Sequence, residues 1–361
     1  MTARWVLGVD SGGSGLRASL AAAGDPERGG PPERVGTLSS REPVRTGAGG
    51  IESRHLLAQL VPMARALLDS AGGGSLAAAA IGAAGMATLG GRLRAELPAA
   101  LAEALGVRRL ALAADAVTAY AGALGQRPGV VVAAGTGMIA MGTDLSGWRR
   151  ADGWGHLLGD CGGGSWIGRA GLEAALRAHD GRAGGSAALL EAAEAVFGPA
   201  GELPGRVYPR TDRPAVLASF APEVARCAAA GDPVAAEVLA LAARHIAEAA
   251  QAVCPPAGEG VPPGEVALTG GLFKLGDPLT VPLRAELSRR LPGVRPLSPD
   301  GDPLAGAVLL ASALATGTLR LPRHPTLLHI PSPPGFMSQQ SGADETGGTQ
   351  MDDIHRINTD R

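Results

Sequence analysis

Two aspartates each follow a short apolar run, and each could carry chemistry. Asp10 ends the run RWVLGV and precedes the polar stretch SGGSG, and Asp115 ends the run LALAA. Active sites of α/β proteins lie at the carboxyl ends of strands, so Asp115 is a candidate general base for a substrate hydroxyl. Aspartate is also a good helix N-cap. A cap for a helix starting at residue 116 is therefore an equally open interpretation of Asp115.

The stretch after Asp10 can form a phosphate loop. Gly12 and Gly13 allow unusual backbone angles and close approach to phosphate oxygens. Ser14 can donate its hydroxyl to a phosphate, and Asp10 can face the water shell of a Mg²⁺ ion. A plain hairpin turn explains the same residues. The pattern is neither a Walker A motif nor GxGxxG, which argues against P-loop and Rossmann proteins.

Glycines also end two later apolar runs. In VVVAAGTGMIAMG, the turn Gly135-Thr136-Gly137 exposes backbone N–H groups that can bind an anion, and Thr136 adds a hydroxyl. Gly270 and Gly271 end EVALTGG, and their backbone can lie flat against an adenine. Ordinary turns remain the alternative in so glycine-rich a chain. Two hairpins with glycine tips can, however, close on one phosphate chain.

The segment 153–169 is the most specific in the sequence. It holds two of the four tryptophans, each surrounded by glycines, which is a poor composition for a core. Gly153, Trp154, Gly155 and Asp160 suit a polyol, because carboxylate and amide groups bind hydroxyls and an indole supports the apolar face of a sugar. His156 is interpreted as a structural histidine.

Alternating elements must position these residues. Apolar runs with glycine turns predict strands at 4–9, 76–84, 107–113, 130–142 (a hairpin) and 265–271, and helical spacing predicts helices at 51–71, 92–105, 116–125, 277–291 and through most of 171–254. Residues 24–34 are predicted to be a surface loop. This alternation favours an α/β fold with mostly parallel sheets.

Composition narrows the class of protein. A chain of 361 residues with 45% hydrophobic content predicts two domains, placed at 1–114 and 115–320, with a disordered tail at 331–361. The net charge is −2 without basic clusters, which argues against nucleic acid and anionic membranes as partners. The short apolar start predicts no signal peptide, hence a cytoplasmic protein. The cysteines Cys161, Cys227 and Cys254 are widely spaced and predicted to be reduced thiols.

Taken in order, these segments resemble the BadF/BadG/BcrA/BcrD-type ATPase family, and most closely its N-acetylglucosamine kinase branch. The resemblance runs from about residue 6 to about residue 315 and is most specific over Asp152–Asp160. It implies a two-domain actin/hexokinase-like (ribonuclease H-like) ATPase fold with an interdomain cleft.

The resemblance also implies roles for the residues. Asp10 to Ser14 match the first phosphate loop, with Asp10 near Mg²⁺ through water, and Asp115 matches the aspartate that deprotonates the sugar 6-hydroxyl. The remaining matches are the second phosphate loop (Gly135, Thr136, Gly137), the sugar segment (Gly153, Trp154, Gly155, Asp160), the adenosine loop (Gly270, Gly271) and the closing helix (Gly306, Ala307).

Four positions depart from the family pattern. Ser14 replaces a threonine and keeps the hydroxyl, whereas Met138 replaces a serine and Cys161 replaces an acid. The fourth departure is Arg41-Glu42-Pro43, which stands where sugar-binding members carry Asn-Pro. Glu42 can accept hydrogen bonds from hydroxyls but cannot donate them as asparagine does.

The expected function is therefore an ATP- and Mg²⁺-dependent kinase acting on the 6-hydroxyl of an amino sugar. N-acetylglucosamine is the first choice, and glucosamine and N-acetylmuramic acid remain open. A small-molecule sugar is the expected partner, and a homodimer the expected assembly. The alternatives are an ATPase that activates a dehydratase-type enzyme, and a catalytically inactive sugar-sensing relative.

Overall fold

The computed structural model describes residues 3–13, 15–23, 32–47, 50–255 and 264–331. Ser14 and the predicted tail beyond Pro331 lie outside these ranges. The strands are β1 (Arg4–Gly12), β2 (Gly15–Ala22), β3 (Arg34–Ser40), β4 (Thr46–Gly47), β5 (Gly50–Ile51), β6 (Ser75–Ala83), β7 (Leu110–Ala114), β8 (Gly129–Ala134), β9 (Met138–Thr143), β10 (Trp148–Asp152), β11 (Glu265–Thr269), β12 (Arg295–Leu297) and β13 (Leu328–His329).

The α-helices alternate with these strands, as the sequence predicts. They are α1 (Ser53–Ser70), α2 (Met86–Leu89), α3 (Gly91–Leu105), α4 (Asp115–Leu124), α5 (Gly164–His179), α6 (Ala187–Phe197), α7 (Leu203–Val207), α8 (Arg213–Ala218), α9 (Ala221–Ala229), α10 (Pro233–Val253), α11 (Asp277–Arg290) and α12 (Pro303–Thr316). No helix in the described ranges is both long and apolar enough to cross a membrane.

The first sheet joins both ends of the chain in the order β13-β7-β6-β1-β2-β3. Strands β1, β6 and β7 run parallel, so their carboxyl ends share one edge. Strand β2 returns antiparallel to β1, as the predicted hairpin requires, and places Arg17 opposite Asp10. On the side of the sheet away from β2 and β3, the outermost strand β13 pairs antiparallel with β7.

The second sheet has the order β10-β9-β8-β11-β12. Strands β8 and β9 form the second predicted hairpin, with residues 135–137 as its tip. Strand β11 runs parallel to β8, so Gly270 follows at the edge where that tip lies. The two hairpins with glycine tips are thus confirmed as structural elements.

Helices α4 and α12 pack together against the first sheet. Glycine permits the close approach: a Cβ on Gly8 of β1 would collide with Val308 of α12, and one on Gly306 of α12 would collide with the Thr118 carbonyl of α4. The two hydrophobic cores, which lie between the strands and the helices, are filled by small and branched aliphatic side chains, as the alanine- and leucine-rich runs predict.

Several elements differ from the prediction. Arg34 belongs to β3, whose RVGTLSS sequence is largely exposed and lacks the apolar run used to recognise strands. Strands β10, β12 and β13 were also not predicted, because they are short or polar. Asp115 is the first residue of α4 and Ala114 is its N-cap, so the N-cap interpretation of Asp115 is wrong by one residue. The domain boundary after residue 114 stays a prediction.

Candidate active site

The two aspartates lie at the same edge of the first sheet. Asp10 pairs with Gly82 of β6, and Gly82 pairs with Ala113 of β7. Strand spacing puts the first and third of these residues about 10 Å apart, and Asp115 follows Ala113 by two positions. The negative charge of Asp10 acts on Asp115. The structure therefore brings together the two carboxylates that the sequence singled out.

Asp115 is reachable by solvent although protein surrounds it on most sides. The residue is exposed by its accessible surface, yet desolvation is the largest influence on its carboxyl. The accessible surface leaves the residue open to a ligand, while the neighbouring protein still disfavours the charged form of its carboxyl. Desolvation, helped by the charge of Asp10, raises the pKa of Asp115, while the hydrogen bond from the Ala116 N–H opposes the shift. A raised pKa makes a carboxylate a stronger base.

Arg17 holds Asp10 in place. Its Nη2 and Nε donate to Asp10 Oδ2 at 2.6 and 3.2 Å, and its Nη1 donates to Asp302 Oδ2 at 2.7 Å. Asp302 is the N-cap of α12, where Oδ1 accepts from the Ala305 N–H. One guanidinium thus connects the first hairpin to the helix that packs on α4. Among the described residues, no hydrogen bond engages Asp10 Oδ1.

The predicted nucleotide glycines fall into two groups. A Cβ on Gly12, Gly13, Gly135 or Gly271 would meet nothing within 4 Å, so these glycines border open space. A Cβ on Gly137 would collide with the Asp160 carboxylate, and one on Gly270 (φ 109°) with the Ala134 backbone. The first group can leave room for a ligand, and the second permits close packing. Thr136 accepts the Ser165 N–H with its carbonyl, which fixes the tip to α5.

The sugar segment folds around Asp152, which the sequence analysis did not single out. Asp152 has a left-handed backbone (φ 60°), and its carboxylate accepts the N–H groups of Asp160 and Cys161 at 2.6 and 3.0 Å. Asp160 in turn accepts the Gly155 N–H with Oδ1 at 3.0 Å. The segment therefore closes into a compact loop. The same loop rests against the second phosphate turn through the Asp160–Gly137 contact.

Two titratable side chains of this loop have a raised pKa. Desolvation and the charge of Asp152 raise the pKa of Asp160 against the opposing Gly155 hydrogen bond. Desolvation likewise raises the pKa of the Cys161 thiol. Cys161 is therefore neutral at pH 7, and the acid of the family pattern is replaced by an uncharged group.

The loop leaves apolar side chains facing solvent. Trp154 is 63% exposed, and Leu157 and Leu158 are 81% and 87% exposed. Arg150, in the middle of β10, places its guanidinium carbon 4.5 Å from the centroid of the Trp154 ring. The sequence analysis missed Arg150, since nothing in the sequence shows which arginine meets the indole.

Glu42 lies beside the first hairpin tip and is held by His55. A Cβ on Gly15 would collide with the Ser40 carbonyl, so the chain leading to Glu42 passes directly against the tip. The Arg45 N–H donates to His55 Nδ1 at 3.1 Å, which leaves the ring proton on Nε2. That Nε2–H donates to Glu42 Oε1 at 3.0 Å. One carboxylate oxygen of Glu42 is therefore engaged by the protein.

Known proteins with related chains include several sugar kinases. A stretch of 78 residues is 42% identical to an N-acetylmuramic acid/N-acetylglucosamine kinase of Clostridium acetobutylicum, covering 21% of this chain and a quarter of that relative's length. A putative N-acetylglucosamine kinase from Chromobacterium violaceum matches 85% of this chain and 99% of its own, with 27% identity and a TM-score of 0.66.

The fold is shared more widely. A ROK hexokinase from Thermus thermophilus matches 87% of this chain and 99% of its own, with 17% identity and a TM-score of 0.52. The predicted α/β fold of the actin/hexokinase-like class is thereby confirmed. The model of the BadF/BadG/BcrA/BcrD ATPase family matches residues 7–311, and the chain belongs to that family.

Proposed function

We propose that this protein is an ATP-dependent kinase that phosphorylates the 6-hydroxyl of an amino sugar, with N-acetylglucosamine as the first expected acceptor. One observation carries the proposal: Asp115 directly follows β7 at the carboxyl ends of the parallel strands that also bear Asp10 and the first glycine tip. The relatives from Clostridium and Chromobacterium are named as kinases of amino sugars, which supports an amino-sugar acceptor.

The open glycines suit a nucleotide. Gly12 and Gly13 on one hairpin, Gly135 on the other and Gly271 after β11 leave space where any side chain would intrude. Backbone N–H groups at such turns bind phosphate oxygens. We assign the two hairpin tips to the phosphates and the Gly270–Gly271 turn to adenosine. Ser14 stays in this proposal from its sequence position alone.

The residues present also fit a magnesium ion. Within the described ranges, no three His, Cys, Asp or Glu side chains converge into a metal site. Protein-bound Mg²⁺ commonly keeps several waters and uses one or two carboxylates together with substrate phosphates, so no such cage is needed. Asp10, with Oδ1 open among the described residues, would hold the hydrated ion. When bound, the ion neutralises charge on the phosphate oxygens.

Asp115 is the proposed general base. Its raised pKa suits it to accept the proton of the sugar hydroxyl as the oxygen attacks the γ-phosphate. Phosphoryl transfer depends chiefly on positioning and charge neutralisation. Gly153, Trp154, Gly155, Asp160 and Glu42 are proposed to hold the sugar. We further propose a cytoplasmic homodimer.

An ADP-release assay across N-acetylglucosamine, glucosamine, N-acetylmuramic acid and glucose tests the function. We expect an amino sugar to stimulate ADP release in wild type. In Asp115→Asn, turnover is expected to fall by at least about a hundredfold because the base is lost, while calorimetry still detects binding of ATP and sugar. Asp277→Asn is the matched control, since Asp277 also begins a helix but lies outside the proposed site, where it faces Arg284.

Two outcomes would contradict the proposal. Near-normal turnover by Asp115→Asn would exclude this residue as the base. Wild-type protein that binds a sugar but shows no stimulated ADP release would favour the sensing relative. The dehydratase-activator alternative requires iron, and an iron-free purified protein with sugar-stimulated turnover would exclude it.

A further inference from the structure

Arg150 covers one side of the exposed indole. Its guanidinium carbon lies 4.5 Å from the Trp154 ring centroid, a separation at which a cation is attracted to an aromatic face. Trp154 remains 63% exposed despite this contact. A cation fixed on one face limits the motion of the ring and leaves other ring surface available to a ligand.

Arg150 also fixes the backbone that carries the indole. Its Nε donates to the Asp152 carbonyl at 3.0 Å, and its Nη2 donates to the Gly153 carbonyl at 2.6 Å. Both residues have left-handed backbones, with φ of 60° and 74°. Such a backbone is costly for aspartate, so these hydrogen bonds help to hold the turn that begins the sugar segment.

The charge of Arg150 reaches the rest of the proposed acceptor site. It acts on both Asp160 and Asp115. Arg150 therefore combines three influences, on the ring, on the turn and on the field at two carboxyls. Arg149, its neighbour on β10, makes no hydrogen bond or ion pair with this loop within the described residues and instead donates to the Cys254 carbonyl at 3.5 Å.

We propose that Arg150 is a positioning residue for the acceptor, which holds Trp154 as a platform for the apolar face of a pyranose ring. The proposal rests on the proposed sugar-kinase function. Without Arg150, the indole and the turn beneath it gain freedom, so the acceptor is bound less tightly. ATP binding, which uses other loops, is unaffected.

The test compares Arg150→Met, Arg150→Lys, Trp154→Ala and the control Arg149→Met. For the sugar that wild type uses best, Arg150→Met is expected to raise KM and the calorimetric Kd about tenfold, as expected for losing a cation–π contact together with charge-assisted hydrogen bonds. The KM for ATP is expected to stay within about twofold. Arg150→Lys recovers part of the loss, since an ammonium keeps the charge but not the planar fork.

A double variant separates positioning from simple destabilisation. If Arg150 acts through Trp154, Arg150→Met adds little to the rise in sugar Kd already caused by Trp154→Ala. Fully additive rises would overturn the proposal. So would an unchanged sugar Kd in Arg150→Met with only a lower Tm, or a rise matched by Arg149→Met.

The same titrations distinguish failure of this inference from failure of the kinase proposal. If wild type turns over normally and Arg150→Met has an unchanged Kd for the sugar, only the proposed role of Arg150 is contradicted. If wild type binds a sugar without turnover, the kinase proposal is contradicted, but the role of Arg150 can still be measured by the Kd for that sugar. If wild type binds none of the tested sugars, both proposals are contradicted.

Discussion

Asp115 is placed where its ionised form is disfavoured. Desolvation and the charge of Asp10 both act against the carboxylate, and the Ala116 N–H only partly compensates. A carboxyl whose pKa is higher in the folded protein than in the unfolded chain binds its proton more tightly when folded. Its ionisation above that pKa therefore lowers the free energy of unfolding. Strain of this kind is typical of functional sites.

Replacing Asp115 by asparagine is therefore expected to stabilise the protein as it inactivates it. Above its raised pKa, where wild-type Asp115 is ionised, the Tm of Asp115→Asn should exceed that of wild type. Asparagine is neutral and can still accept the Ala116 N–H. The difference should shrink as the pH falls through the raised pKa of Asp115, because wild type then carries a neutral acid too.

Calorimetric or fluorescence melts from pH 4 to pH 8 measure this trend. Asp277→Asn should show no comparable gain at pH 8. A lower Tm for Asp115→Asn at pH 8 would mean that the carboxylate is stabilised by its surroundings, in contradiction to the structure.

The two groups of glycines predict different outcomes for the same substitution. Gly135→Ala should leave the Tm within a few degrees of wild type. It should weaken the binding of ATP and raise the KM for ATP about tenfold or more, since one misplaced methyl can displace a phosphate contact. Gly137→Ala should lower the Tm, because its Cβ would collide with the Asp160 carboxylate.

Gly147→Ala is the control for both, since a Cβ there also meets nothing within 4 Å and the residue lies in an exposed turn. Melting curves and KM for ATP separate the cases. An unchanged KM for ATP in a well-folded Gly135→Ala would place the phosphates elsewhere.

At the scale of elements, the short strand β13 supports β7, the strand that directly precedes Asp115. The Ala114 N–H donates to the Leu327 carbonyl at 2.8 Å, directly before the aspartate. Leu328, which pairs with Ala113, is fully buried. The match to the family ends at residue 311, so this strand lies outside the matched region.

Leu328→Ala is accordingly expected to lower the free energy of unfolding by about 2–5 kcal/mol, the usual cost of truncating a buried leucine. Leu157→Ala is the matched control: its side chain is 81% exposed, and its effect should stay within about 0.5 kcal/mol. Urea denaturation measures both. Equal effects of the two substitutions would show that β13 is not part of the cooperative fold.

The elements that could be predicted from the sequence are those with a local signal, such as an apolar run, helical spacing or turn residues. Both glycine-tipped hairpins, α1, α3 and α11 were predicted from apolar runs, helical spacing and turn residues, and the structure confirms them. Strand β13 could not be predicted, because two residues carry no periodicity and gain their structure only by pairing with a strand about 215 positions earlier.

The residues of the candidate site divide in the same way, into those with a local sequence signal and those without one. Asp10, Asp115 and the glycine turns were found because their types and their places at strand ends carry information. Arg150 and Asp152 were missed because their partners are mainly backbone groups in turns with left-handed residues. Such contacts depend on a conformation that no single residue specifies. Whether Glu42 contacts a sugar stays a prediction.

At the scale of the whole molecule, both sheets depend on long-range pairing. The first sheet combines β1 with β13, and the second combines β8 with β11 across the helical segment from α5 to α10. The apolar faces of β1 and β6 are covered by α12, which follows them by more than 200 residues. Contacts of such high sequence separation are formed slowly.

The late arrival of α12 and β13 has a consequence for synthesis on the ribosome. Strands β1 and β6 precede α12, the helix that covers them, by more than 200 residues, and β13, which borders β7, follows α12. At about 5–20 residues per second, the apolar face of β1 and β6 stays uncovered for about ten seconds or more. During that interval the uncovered apolar face favours aggregation of the nascent chain, and the sheet that bears Asp10 is still incomplete.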